Sequence, residues 1–468
     1  MGNVVTATYD VRGRKVASND PDLGAWAYAY DTANELVSQT DAKTQTTTFT
    51  YDILGRLTQR VEPDMTCVWV YDTALNGIGK VASASITAGP SAGYQRSFAY
   101  DTLTRPTQAT VTVGGTGYSF NATYDAASRL SSVAYPSGLV LDYTYTSLGY
   151  AQQIVGPGGL AYWTANARDA ELHLTQETAG NGVVTTQGFD VQTGRLNTIL
   201  AGAGNIVQNF SYTYDVLGNV LTRADANESL TETFTYDNLN RVTSATVSQS
   251  VAPVKLFAYD AIGNMLSKSD VGNYTYSLAG SALPHAVTSI SGGAVSTSFT
   301  YDPNGNQTSG LGRSISYTSY NKPASITQGS GTLFFSDDVD HQRFKQVSPE
   351  GTTLYFDAFG GHAELFVAAT TQWYDFGSSG SMVGVRVLQP NNSVTTRYFH
   401  TDNLGSIAVI TDETGAVVER DSYDAWGKRR FPQRAGDLPG APLPFPVAAY
   451  RAICELIDVM LKKSAVAP

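Results

Sequence analysis

An all-β chain of consecutive hairpins is the fold class this sequence predicts, and three observations predict it. The dipeptide Tyr-Asp recurs along most of the 468 residues, the residues before each copy alternate in character, and the composition suits strands and turns, with 28 Tyr and 44 Gly. Hydrophobic residues make up 42% and charged residues only 15% of the chain. A disordered chain needs the reverse balance, so a folded one is expected.

The repeat begins with YDVRGRKV at Tyr9 and continues with YDTANELV at Tyr30, YDILGRLT at Tyr51 and YDTALNGIGKV at Tyr71. Further copies start at Tyr100, Tyr124, Tyr214, Tyr236, Tyr259, Tyr301 and Tyr423, with weaker ones at Tyr145, Phe189 and Phe356. The first anchors lie 21, 21 and 20 residues apart. Such self-similarity marks a repeat architecture.

Each copy reads as a hairpin. In TTTFTYD, Thr46 to Asp52, Phe49 and Tyr51 share one face while Thr48 and Thr50 share the other, which is strand periodicity. D-x-x-G follows: the Asp carboxylate can accept the turn's own amides, and Gly55 or Gly218 can take a positive φ. After the glycine a strand resumes, as in Arg56-Leu57-Thr58. Roughly eighteen copies give about 36 strands, and open sheets rarely exceed about ten without curling. The hairpin ribbon is therefore expected to coil into a spiral or cocoon wall, with its anchor tyrosines largely buried on one face.

The tail departs from this pattern. Prolines between Pro439 and Pro446 exclude a central strand. Val447, Tyr450, Cys454, Ile457 and Leu461 then recur at helical spacing, predicting an amphipathic helix. The organisation predicted is a repeat shell over 1–330, C-terminal repeats over 331–427, and a Pro-rich linker with helix over 428–468.

Several function classes are disfavoured. A net charge of −11 argues against a nucleic-acid partner. Two cysteines, Cys67 and Cys454, build neither a disulfide framework nor a zinc site. No run of about 18 apolar residues predicts a membrane span. The first residues carry no basic segment ahead of an apolar core, so no signal peptide is read there, and the chain reads as part of something longer.

The pattern Y-D-x-x-G-[RN]-[LV] resembles the RHS/YD-repeat family. More specifically, RYFHTDNLGSIAVITDETGAVVERDSYDAWG, Arg397 to Gly427, is similar to the opening of that family's RHS-associated core, and Asp338 to Asp357 fits its penultimate repeats. The likeness covers residues 1 to about 427. It implies a β-ribbon cocoon like that of bacterial polymorphic toxins, the C component of insecticidal toxin complexes and the teneurin shell. In the bacterial members the cocoon holds a C-terminal toxic domain, often released by an aspartyl self-cleavage site. Here FPQRAGDLPGAPLPFP follows YDAWGKRR instead of the segment bearing the cleavage aspartates, so no catalytic residue is carried over.

Other constellations read more simply as structure. His400 and Asp402 share a strand face but no third ligand is near, and Asp402 opens another D-x-x-G turn. Asp302 to Asn306 opens like a calcium loop, yet its twelfth position is Arg313. His173, His285, His341 and His362 lack ligand spacing. Asp337 and Asp338 read as a solvated turn rather than a glycosidase pair. Trp26, Trp69, Trp163, Trp373 and Trp426 could stack on sugars but are expected to pack in the sheet. No catalytic, cofactor-binding or metal residue and no cofactor is assigned.

The sequence thus points to a non-enzymatic shell segment of a larger secreted or cell-surface protein. Its expected partners are the rest of that shell and an enclosed toxin domain. The alternative is a YD-repeat adhesin that binds carbohydrate, recognised by aromatics clustered on an outer face.

Overall fold

The computed structural model describes residues 3–248, 254–278, 280–368, 371–378 and 380–430. The expected helix over Val447 to Leu461 lies outside these residues. Within them are forty-two strands, and the helical turns are two three-residue 3-10 segments, Pro157–Gly159 and Ala203–Asn205.

Strand follows strand in antiparallel register. Lys15–Asp20 pairs with Thr6–Tyr9 before it and Gly24–Tyr30 after it, and that alternation repeats along the ribbon. Most of the Tyr-Asp hairpins also carry a bulge. Thr50 faces Gln59 while Tyr51 faces Leu57, and the same slip recurs at Tyr9, Tyr30, Tyr124, Tyr145, Tyr214 and Tyr259. One extra residue on the outgoing strand increases the local twist, as a three-residue loop closed by a left-handed residue requires. Gly55 (φ 76°) and Gly218 (φ 98°) hold that left-handed position as the sequence predicts.

One rim of the ribbon carries these Asp turns; the other carries shorter return turns such as Glu62 to Met65. The anchor tyrosines differ from expectation. Tyr30, Tyr51, Tyr71, Tyr100, Tyr124 and Tyr214 are half-buried, not buried, because each ring lies at the Asp rim with its hydroxyl reaching for backbone.

Two compact units form. Among the described residues the first lies within 3–164, 235–244 and 254–396. In it, an early ribbon (through residue 164) meets a late ribbon (from about residue 283) side by side. Buried aromatic and aliphatic residues fill the contact, with Tyr94 against Phe344 (centroids 4.5 Å apart) and Tyr118 against Phe356 (4.6 Å) and Trp373 (5.9 Å). Among the described residues the second comprises 165–234, 245–248 and 397–430. Its core joins Val183, Ile199, Val207, Phe210 and Tyr212 to Ala408 and Val409.

Candidate functional site

The sequence concentrates its chemistry in the Tyr-Asp turns, where one triplet does the binding. In the turn after Tyr51, Asp52 Oδ1 accepts the amides of Leu54 (2.9 Å) and Arg56 (3.0 Å), and Oδ2 accepts Arg56 Nε (2.7 Å). Asp10–Arg14, Asp101–Arg105, Asp125–Arg129 and Asp237–Arg241 repeat the carboxylate–guanidinium pair. The Arg56 backbone amide first, and its guanidinium against the opposing cost of burial, hold Asp52 below the usual carboxylate range.

The tyrosine and arginine then reach neighbouring hairpins. Tyr51 donates its hydroxyl to the Leu36 carbonyl (2.9 Å), Tyr71 to Leu57 (3.0 Å), Tyr124 to Pro106 (2.7 Å) and Tyr259 to Val242 (2.9 Å). Each acceptor is the first residue of the strand leaving the previous Asp turn. Arginine works in the opposite direction: the guanidinium carbon of Arg56 sits 4.4 Å from the Tyr71 ring centre, and its amines bond Asp72 (2.7 and 3.1 Å). Arg14 over Tyr30, Arg105 over Tyr124 and Arg129 over Tyr145 do the same. The motif is thus a coupler between hairpins, and its polar atoms are consumed by structure.

A second constellation lies where the early and late ribbons of the first unit meet. Return turns of the early ribbon receive Asp turns of the late one. Asn304 donates to Asp41 (2.6 Å) and Lys43 pairs with Asp302 (3.2 Å). Asp64 accepts the Ser319 amide (2.8 Å), Arg60 donates to the Val339 carbonyl (2.9 Å), and Glu62 meets His341 Nε2 (3.0 Å). Further on, Arg96 pairs with Asp338 (3.6 Å) and Asp340, Tyr135 donates to the Phe376 carbonyl (2.9 Å), and Ser137 to Asp375 Oδ2 (2.7 Å). Backbones approach closely: a Cβ on Gly305 would lie 2.3 Å from the Asp22 carbonyl oxygen. Asp375, 1% exposed and 3.1 Å from Arg386, is raised to about 6 by burial, which outweighs Ser137 and Arg386.

Comparison with known proteins now has a structural counterpart. The RHS Repeat family profile matches residues 30–64, which hold the coupled turns at Tyr30 and Tyr51. The toxin subunit YenC1 of Yersinia entomophaga is 26% identical over 331 residues, 65% of this chain and 30% of that protein. The TcdB2-TccC3 crystal structure matches with a TM-score of 0.76 at 14% identity, over 91% of this chain and 25% of that one. The chain carries an RHS repeat. The Double-stranded DNA deaminase toxin A of Burkholderia cenocepacia is 22% identical over 90% of this chain and 32% of its own length. The Photorhabdus luminescens Tc holotoxin pore matches with a TM-score of 0.73 at 14% identity, over 91% and 24% of the two chains. This chain therefore spans about a third or less of each relative, and those relatives are toxin components.

The residues singled out by sequence fall into separate places. His400 is buried, its Nε2 2.9 Å from Thr411 Oγ1, and burial lowers it to about 4. Asp402 instead accepts the amides of Leu404 and Ser406 (both 2.9 Å), closing its own turn. The Asp302 carboxylate is occupied by the amides of Asn304 (3.1 Å) and Asn306 (2.9 Å) and by Lys43. Among the described residues, no cluster of three or more His, Cys, Asp or Glu could hold a metal.

Asp337 and Asp338 correct the sequence reading. They are buried, not solvated, because the turn they open is docked into the early ribbon, and burial raises both carboxyls. His285 pairs with Asp22 (2.6 Å), His173 with Asp169 (2.9 Å) and His362 with Asp357 (2.7 Å). Trp163 is buried and the other four tryptophans are half-buried. Cys67 is buried with Arg60 3.6 Å from its sulfur, and burial pushes its thiol up to about 12.

Sequence reasoning missed the docked charges, Glu232 above all. It is 0% exposed and held by Arg223 (2.5 Å) and Arg430. In TETFTYD it occupies the inward phase with Phe234 and Tyr236, a position that is Thr47, Phe120 or Phe210 in other copies but also Arg96 or Lys255, so the repeat alone does not mark it.

Proposed function

We propose that this chain is a wall segment of a larger RHS shell that encloses or presents a C-terminal toxic domain, and that it does no chemistry itself. The observation that carries the reading is the use of the repeated polar groups in structure: Asp carboxylates close their own turns, while Tyr hydroxyls and Arg guanidiniums bind neighbouring hairpins. A wall needs such rigidity, and a catalytic site needs polar groups left over for substrate. The toxin-component relatives support the same assignment. The division into shell repeats over 1–330, core-like repeats over 331–427 and a tail over 428–468 belongs to this proposal. So does a secreted or cell-surface location within the parent protein. No helix among the described residues is long and apolar enough to cross a membrane.

The test fuses a marker polypeptide after Pro468 and follows its digestion by protease. Digestion slower than that of the free marker supports enclosure, and digestion at the free rate overturns it. The same preparation, incubated alone, should show no self-processing on a gel. A glycan-binding assay addresses the adhesin reading, for which half-buried tryptophans offer no open stacking platform.

A further inference from the structure

In the second unit, the hairpin 421–430 stands apart from the large sheets. Val417–Arg420 is the final strand of a thirteen-stranded sheet, and after it Ser422–Tyr423 and Arg429–Arg430 form a two-stranded sheet of their own. A hairpin of that size is marginal in water, so what ties it down decides whether it stays. Its ionic ties converge on one carboxylate. Glu232, in strand Leu230–Tyr236, is 0% exposed, and its two oxygens serve two arginines. Oε1 accepts Arg430 from the end of the hairpin, and Oε2 accepts Arg223 (2.5 Å) from the neighbouring strand Val220–Asp225. Arg223 also donates to the Tyr423 carbonyl (2.5 Å), so both strands of the hairpin are held through this group.

Weaker contacts complete the seat. The Asp421 amide donates to the Ala408 carbonyl (2.7 Å), the Tyr423 hydroxyl donates to the Ile407 carbonyl (2.9 Å), and Arg429 pairs with Glu419 and Asp421. Taking one partner from a buried ionic group strands the charges that remain. Without the Glu232 carboxylate these would be two guanidiniums, with side chains only 16% (Arg223) and 19% (Arg430) exposed. Arg223 is fixed in the sheet, whereas Arg430 ends a hairpin that the sheet does not hold. The cheaper response is for the hairpin to carry Arg430 out to water.

We infer that Glu232 is an ionic latch, and that the hairpin 421–430 opens from the wall as one unit when the latch is broken. Closed, it fixes the point on the wall from which the chain beyond Arg430 departs; open, that point becomes the end of a free arm. The latch holds whether or not the shell encloses a toxin.

The test is the initial rate at which trypsin cuts the full chain after Lys428, read by mass spectrometry. Lys428 is exposed, but Asp424 closes its backbone into a turn: the Asp424 amide donates to the Lys428 carbonyl (2.8 Å), and the carboxylate accepts the Lys428 amide (2.9 Å). A protease needs the chain extended, so cutting there reports the open hairpin. Glu232→Gln should speed the cut at least about tenfold. Arg430→Gln breaks the same contact without touching the buried strand and should do likewise, so it decides alone should Glu232→Gln fail to fold. The double variant should cut no faster than the faster single one, because both changes break one link. Glu413→Gln, at an exposed ion pair with Arg397 outside the hairpin, should cut at the parent rate. Hydrogen exchange around Val183, Phe210 and Val409, in the core of the unit, should match the parent in the latch variants. Cutting at the parent rate in every folded latch variant, rates that multiply in the double variant, or exchange in the core that rises in step with cutting would each overturn the inference.

Discussion

Tyr51, Asp52 and Arg56 divide one turn's work: the carboxylate shapes the loop, the hydroxyl reaches back, and the guanidinium reaches forward. The left-handed position completes the loop, and the repeats fill it unevenly. Gly55 sits there at φ 76°, but Thr104 (φ 60°) and Ser128 (φ 63°) occupy it with side chains that resist it. Thr104→Gly should therefore stabilise the chain by about 1 kcal/mol, read as a rise in the denaturant midpoint at constant slope. Gly55→Val is the reverse experiment. The nearest obstacle to its Cβ is the movable Glu35 carboxylate at 2.9 Å, so backbone strain dominates and about 1–3 kcal/mol should be lost in a thermal melt. A Gly55→Val melt that matched the parent would contradict this account of the loop.

At the scale of the hairpin, stability comes from coupling to the next hairpin, because an isolated two-stranded unit is marginal in water. Arg56 over Tyr71 is one such link, and the Tyr71 hydroxyl on Leu57 is a second through the same ring. A double-mutant cycle with Arg56→Lys and Tyr71→Leu should show a coupling of about 0.5–1 kcal/mol, whereas independent losses would mean the stacking carries nothing. Strand phase, the D-x-x-G turns and the ribbon were legible in the sequence because each depends on residues within one copy. The half-exposure of each tyrosine ring was not, since it goes with the hydroxyl's bond to a carbonyl in the previous hairpin. The docked turns were written only as departures from the repeat. Where D-x-L-G becomes Asp302-Pro303-Asn304-Gly305 or Asp338-Val339-Asp340-His341, the tip is docked, and Leu at that position marks an exposed tip.

Across the molecule, residues about 190 to 280 positions apart are joined by polar groups that are mostly buried: Asp375 to Ser137, His341 to Glu62, Gln208 to the Thr401 carbonyl. No local pattern announces such pairs, which is why Asp338 and Asp375 were not read as buried. Their burial makes stability depend on pH, with opposite sign in the two units. Asp375 in the first unit is raised to about 6 from 3.8, so its contribution is fully present below about 3.8 and lost as pH rises through about 6. Asp337 and Asp338 shift in the same direction. His400 in the second unit is lowered to about 4 from 6.5, so its contribution is present above about 6.5 and lost as pH falls toward 4. Shifts of that size are worth of order 1–3 kcal/mol across each window. Acidification from about pH 7 to 5 should therefore protect the backbone around Ser137 and Asp375 from hydrogen exchange, while strands Val394–Thr401 and Ile407–Thr411 lose protection. Asp375→Asn should flatten the first response and leave the second, and His400→Asn should do the converse. Exchange that moves in one direction at both places, after correction for the intrinsic rate, would show that these two groups do not set the pH response.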